Sequence, residues 1–315
     1  MKKSVIALVV VAAAAGGLFY ANMKAEDAIK QQITQANESY RELAANDEMP
    51  LIAISYDDVS ANILTSTYSI QGLDLTVGEM GSVVTIDKIT ATGVNPKKLA
   101  DKGSMQMTGL KAAPAALQML PPHASAFVQG LELHGDYDYE YQNDGTLLFK
   151  QTTSVNDEFS LGYSFTLAQM QQLWQYAKDV SAMPAEEQQA LTSNPDYPQL
   201  MLEKLMTGAL NKGEVVITNN GFIERLIELA SSQGQSPDLE TIRGMALMNV
   251  SAAEQLPQPF KESLIAFINK PEKLTLNFSF DQPLPFAQLQ NGELAEQVST
   301  PEAMIEFANL KLTAN

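Results

Sequence analysis

Residues 131–141 read LELHGDYDYEY, residues 143–145 read NDG, and residues 159–165 read FSLGYSF. In the first stretch Leu131, Leu133, Gly135, Tyr137, Tyr139 and Tyr141 alternate with Glu132, His134, Asp136, Asp138 and Glu140. Side chains of a strand point alternately to opposite faces, so this stretch predicts a strand with one apolar and one wet face. Asn143, Asp144 and Gly145 tolerate the positive φ that a tight hairpin demands. Leu147 and Phe149 lead back, and Phe159, Leu161, Tyr163 and Phe165 alternate with Ser160, Gly162 and Ser164. An antiparallel meander follows from this pattern.

Working toward the N-terminus, residues 51–99 are also strand-like. Ile52, Ile54 and Tyr56 alternate with their neighbours, as do Leu73, Leu75 and Val77, and Asn95-Pro96 closes the block. Toward the C-terminus the period changes at Thr166. Leu167, Met170, Leu173, Trp174, Ala177 and Val180 share one helical stripe, with Thr166 and Gln169 as a capping box. Further helices are expected over about 198–212, closed by Gly213, and over 220–232. A third opens at Ser236-Pro237, and a last one runs over about 258–269. Val215 to Thr218 form a short strand among them, and Leu274, Leu276, Phe278 and Phe280 a closing strand. The expected fold is α+β: an antiparallel β-rich domain over residues 50–315, carrying a helical segment inserted at about 166–269.

The first residues bear on location. Lys2 and Lys3 precede an uncharged apolar run over residues 5–21. As a helix this run would be about 25 Å long, near the lower limit for a bilayer span. The lysines place its N-terminal side in the cytoplasm and the remainder beyond the membrane. Two readings stand: an uncleaved signal anchor in the inner membrane with the main domain periplasmic, or a signal peptide, residues 1–22, cleaved after its small residues. Residues 23–49 then read as a helix leading out of the membrane, a stalk or an element packed on the domain, with Ala25, Ile29, Ile33, Ala36, Tyr40 and Leu43 at helical spacing.

Composition excludes several classes. Of 315 residues 45% are hydrophobic, which supports a sizeable core. A net charge of −17 repels phosphate backbones, so no nucleic-acid partner is expected. The absence of cysteine removes disulfides, thiolate metal sites and cysteine nucleophiles.

Three stretches carry a resemblance. They are the KK-plus-apolar N-terminus, ISYDDVSANILTSTYSIQGL at residues 54–73, and the segment from WQYAKDV to LNKGEVVI at residues 174–217. Their order resembles that of the YdgA-like family, uncharacterised inner-membrane-anchored proteins of the bacterial envelope. The resemblance implies long antiparallel sheets with inserted helices; it implies no reaction and no site residues. A looser resemblance, in architecture alone, is to β-groove lipid-handling proteins of the envelope.

Candidate chemistry is sparse. Asp136, Asp138 and Glu140 form a carboxylate row, but a straight strand spaces ligands too far apart to wrap a cation, so the row reads as a solvated face and no metal site is assigned. His123, in an expected loop, and His134 have neither triad nor metal-ligand spacing. No phosphate-cradling or dinucleotide motif occurs, and no cofactor is expected. Met170, Trp174, Met201, Met206, Met245 and Met248 could serve either as core or as an adaptable apolar surface. No residue is assigned as catalytic. The expected function is a non-enzymatic, membrane-tethered envelope protein, an interaction module or a lipid binder. Its expected lining is Tyr137, Tyr139, Tyr141, Phe159, Tyr163 and Trp174. A scaffold or regulator of other envelope proteins is the second reading, and a hydrolase using Asp136, Asp138 or His134 the third.

Overall fold

The structure, a computed structural model, describes residues 25–46, 49–62, 65–93, 99–192, 194–234, 236–290, 294 and 298–315. The apolar run over residues 5–21 lies outside them, and no helix among the described residues is long and apolar enough to cross a membrane. The fold is α+β on antiparallel sheet. Where residues 50–315 read in sequence as one domain, contacts group the chain into two compact units.

Unit 1 takes in the described residues up to Glu132 together with Trp174–Met201. Helix α1 (Ala25–Ala45) leads into β1 (Ile52–Ser55), β2 (Asp58–Asn62), β3 (Thr67–Val77), β4 (Ser82–Thr92) and β5 (Lys102–Ala112). β1 and β2 both pair with β3, and β3, β4 and β5 pair in turn. Alternation buries Val59, Tyr68 and Ile70 on the side where α1 presents Ile29 and Ile33, one turn apart. A second cluster joins Ile52, Leu75, Val77 and Val83. Of the two readings of this helix, the packed one describes it: α1 lies on the sheet. Asn37 of α1 fastens it: its amide donates to the Ile54 carbonyl at 2.8 Å and its oxygen accepts the Ile54 N–H at 2.7 Å.

β5 and the next two helices were not expected from the sequence pattern. These helices are α2 (Pro114–Gln118) and α3 (Pro122–Gln129), each opened by a proline in its first turn. His123 thus sits on a helix and not in a loop. α4 (Gln171–Ser181), α5 (Ala185–Thr192) and α6 (Tyr197–Leu205) come later in the chain, and two of the three boundaries between the units fall within α4 and α6.

Unit 2, Leu133–Leu173 and Leu202–Asn315, is a meander. Its strands are β6 (Leu133–Tyr141), β7 (Leu147–Val155), β8 (Phe159–Ala168), β9 (Ala209–Asn219), β10 (Lys273–Pro285) and β11 (Lys311–Ala314), paired in that order. The hairpin of residues 143–145 forms as expected, with Gly145 at φ 86°. Between β9 and β10 stand α7 (Phe222–Ser232), α8 (Leu239–Ala252) and α9 (Gln258–Asn269); α10 (Phe286–Gln290) and α11 (Pro301–Phe307) precede β11.

Several expected boundaries are overturned. β8 runs on to Ala168 and Gln169 takes φ 60°, so Thr166 and Gln169 cap nothing and the helix begins at Gln171. The helix expected over 198–212 ends at Leu205, and residues 209–212 belong to β9. β9 has 11 residues, not four, because β8 and β10 pair along both its sides and two ladders outweigh helix propensity. The helical segment is accordingly not one insert: a central strand divides it. Asp238, not Ser236, caps α8, accepting the Thr241 N–H at 2.8 Å. The closing strand is not last, since β11 pairs with β10.

Candidate apolar-ligand face

The register of unit 2 sorts its side chains into two unlike faces. One carries His134, Asp136, Asp138 and Glu140 of β6, Lys150 of β7, Ser164 of β8, Lys212 and Glu214 of β9 and Asn277 of β10. The other carries Tyr137, Tyr139 and Tyr141 of β6, and Leu147 and Phe149 of β7. It continues with Phe159, Leu161, Tyr163 and Phe165 of β8, Val215 and Ile217 of β9, and Leu274, Leu276 and Phe278 of β10. None of the residues that the register places on this second face is charged.

Its aromatic rings form a connected row. Tyr139 meets Tyr137 at 6.2 Å between centroids, Tyr137 meets Phe149 at 4.9 Å, and Phe149 meets Tyr163 at 5.8 Å and Phe165 at 6.4 Å. Phe165 then meets Phe278 at 6.2 Å, Phe278 meets Phe280 at 5.8 Å, and Phe280 meets Phe307 of α11 at 5.6 Å. All fall within the range where aromatic pairs attract. Every ring in the row is half-buried.

The row crosses β9 only because residue 213 is glycine. Gly213 pairs with Phe165 on one side and Phe278 on the other. A Cβ there would lie 2.5 Å from Phe278 Cζ and 2.7 Å from Phe165 Cδ1. Any side chain would wedge the two rings apart. The polar tip of Tyr163 is satisfied locally, its hydroxyl donating to Gln151 Oε1.

At the Phe159 end the helices approach. Phe159 meets Phe222 of α7 at 5.5 Å, and α9 is tied to β11 by Ser263, whose hydroxyl donates to the Leu312 carbonyl at 2.8 Å. Asn219, 2% exposed, organises this corner. Its side-chain oxygen accepts the Ile223 N–H, and its amide reaches Glu224 at 2.9 Å and the Pro271 carbonyl at 2.7 Å.

Five of the six expected lining residues, Tyr137, Tyr139, Tyr141, Phe159 and Tyr163, therefore share one face of unit 2. Trp174 does not join them: it belongs to unit 1, buried, with its indole N–H donating to Asp101 at 2.9 Å. Lys178 approaches the same carboxylate at 2.7 Å. The methionines are not brought onto one surface. Met170 is sealed beside Gly208, whereas Met245 and Met248 of α8 are 54% and 73% exposed. Phe149, Phe165, Phe278, Phe280 and Phe307 complete the row but were not named as lining residues; Gly213, just ahead of the β-branched Val215 to Thr218, was the available sign.

Asp136, Asp138 and Glu140 project to the polar side, exposed. Among the described residues no group of His, Asp and Glu could hold a metal ion. In the hairpin beside Tyr141, the Thr146 N–H bonded to Asp144 holds that carboxyl below its usual range.

A family model described as "Uncharacterized protein" matches residues 152–315, slightly over half of the chain, from within β7 to the C-terminus. The chain belongs to that family. No curated protein matches it.

Proposed function

We propose that this chain is a non-enzymatic, membrane-tethered protein of the bacterial cell envelope whose unit 2 binds an apolar ligand, a lipid, on its aromatic face. One observation carries the reading: an uncharged sheet face bears seven contacting rings, joined by Phe307 of α11, none of them sealed from solvent. Leaving such a face wet forgoes about 25 cal/mol for each Å² of apolar surface. An apolar occupant would recover that free energy. The Lys2-Lys3 and apolar run supports the tether, with the domain on the periplasmic side, either anchored or released after signal cleavage. The likeness to YdgA-like proteins in the three stretches supports an envelope location.

The test is native mass spectrometry of the full chain purified in mild detergent. Stoichiometric co-purifying lipid, weakened by Phe149→Ala, is the expected result. A clean apo mass that takes up no added phospholipid would refute the lipid reading.

A second reading, a scaffold or regulator of other envelope proteins, draws on Leu226 of α7 and Met245 and Met248 of α8, all exposed. Crosslinking in membranes from Met248 would then trap a partner protein, and Met248→Glu would abolish the product.

A further inference from the structure

The aromatic row is polar at one end and apolar at the other, and this gives a bound lipid a direction. Resting on the lipid reading above, we propose that the ligand lies across the strands, head at β6 and acyl tail toward α11, and that its head carries no net negative charge. The row crosses four inter-strand spacings from β6 to β10, about 19 Å at some 4.8 Å each. That is close to the hydrocarbon depth of one leaflet, about 15 Å. One extended acyl chain therefore matches it, passing over Gly213, where the absence of a Cβ keeps the path continuous.

The direction follows from side-chain chemistry. Tyr137, Tyr139 and Tyr141 line the β6 end, and tyrosine rings suit the boundary between chain and head because each has an apolar body and a polar tip. Phe278, Phe280 and Phe307 line the other end, where nothing on the rings can solvate a head.

Charge then selects the head. Alternating with the three tyrosines on β6 are Asp136, Asp138 and Glu140, all exposed, and the register sets one lysine, Lys150, opposite Asp138. These carboxylates lie on the sheet face opposite the rings; at low ionic strength, where the Debye length reaches about 30 Å, their field still repels a phosphate at the β6 end, and an ammonium group offsets that repulsion. Zwitterionic phosphatidylethanolamine meets this condition, while phosphatidylglycerol does not.

The experiment offers the delipidated full chain in neutral detergent an equimolar pair, phosphatidylethanolamine and phosphatidylglycerol of identical acyl chains, and reads bound masses by native mass spectrometry. At low ionic strength the zwitterionic lipid should exceed the anionic one by about three- to tenfold, the preference expected from a few partly screened charges. Raising the salt, or the triple change Asp136→Asn, Asp138→Asn and Glu140→Gln, should bring the ratio toward one. Equal binding at low salt, or a ratio the triple variant leaves unmoved, overturns the head assignment while the lipid reading stands. Binding of neither lipid overturns both. A photoreactive group on the lipid head should label β6; labelling of Phe278 or Phe280 instead would reverse the direction.

Discussion

Unit 1 closes over its apolar residues and unit 2 does not. Nineteen apolar residues are buried among those described, and only Met170, Ala209, Leu284 and Ala308 of them belong to unit 2. Both units obey the same alternation, yet in unit 1 α1 lies on the sheet with Ile29 and Ile33 driven into it. Unit 2 instead spreads its large rings over five strands' width, in contact with one another and half-wet. An alternating strand pattern thus specifies that a face is apolar, and leaves open what covers it. In unit 1 the cover is the chain itself. In unit 2, on our reading, it is a ligand.

The strongest way to break this contrast is to truncate one residue in each unit. Ile86→Ala in the sealed core should cost about 2–5 kcal/mol, read by denaturation through the fluorescence of Trp174, the sole tryptophan and a resident of unit 1. Asn219→Ala should come next, at about 2–3 kcal/mol, because it strands the Ile223 N–H and the Pro271 carbonyl in a buried corner. Circular dichroism of α7 and its surroundings would follow that loss. Phe149→Ala, on the half-wet face, should cost only about 1 kcal/mol of stability but lower lipid occupancy severely. A stability loss as large as that of Ile86→Ala would mean the face is a core after all.

The smallest effect concerns pH. The Asp238 carboxyl is held below its usual range by the Thr241 N–H it caps. A depressed carboxylate contributes stability above its unfolded pKa and loses it as pH falls through the lower, folded one. Acid titration of thermal stability should therefore show a component below about pH 4 that Asp238→Asn removes, since asparagine caps without ionising. An unchanged acid limb would exclude the cap as its source.

Much of this was legible in the residues. Alternation alone located β6, β7 and β8, the hairpin between the first two and the shared face of Tyr137, Tyr139 and Tyr141. What local pattern could not show was pairing. β9 contains Leu210, Asn211 and Lys212, which suit a helix as well as a strand, and only the ladders on both sides decide between them. Trp174 misled because an aromatic on a helical stripe gives no sign of which sheet its stripe will meet. Gly213 was read as a helix stop when its role is to admit two rings, a property of its neighbours across the sheet and invisible along the chain.

Asn37 reaches further than its two hydrogen bonds. By clamping α1 to β1 it removes slack from the N-terminal end of the chain. On the proposed anchor ending at residue 21, the three residues before α1, four Cα–Cα steps, could extend at most about 14 Å. Unit 1 would be leashed within that reach of the outer bilayer surface, moored there and not swinging on a long arm. Lipids of the facing leaflet would then be supplied to the chain at the local concentration of a membrane, and even a weak affinity would keep the aromatic face occupied.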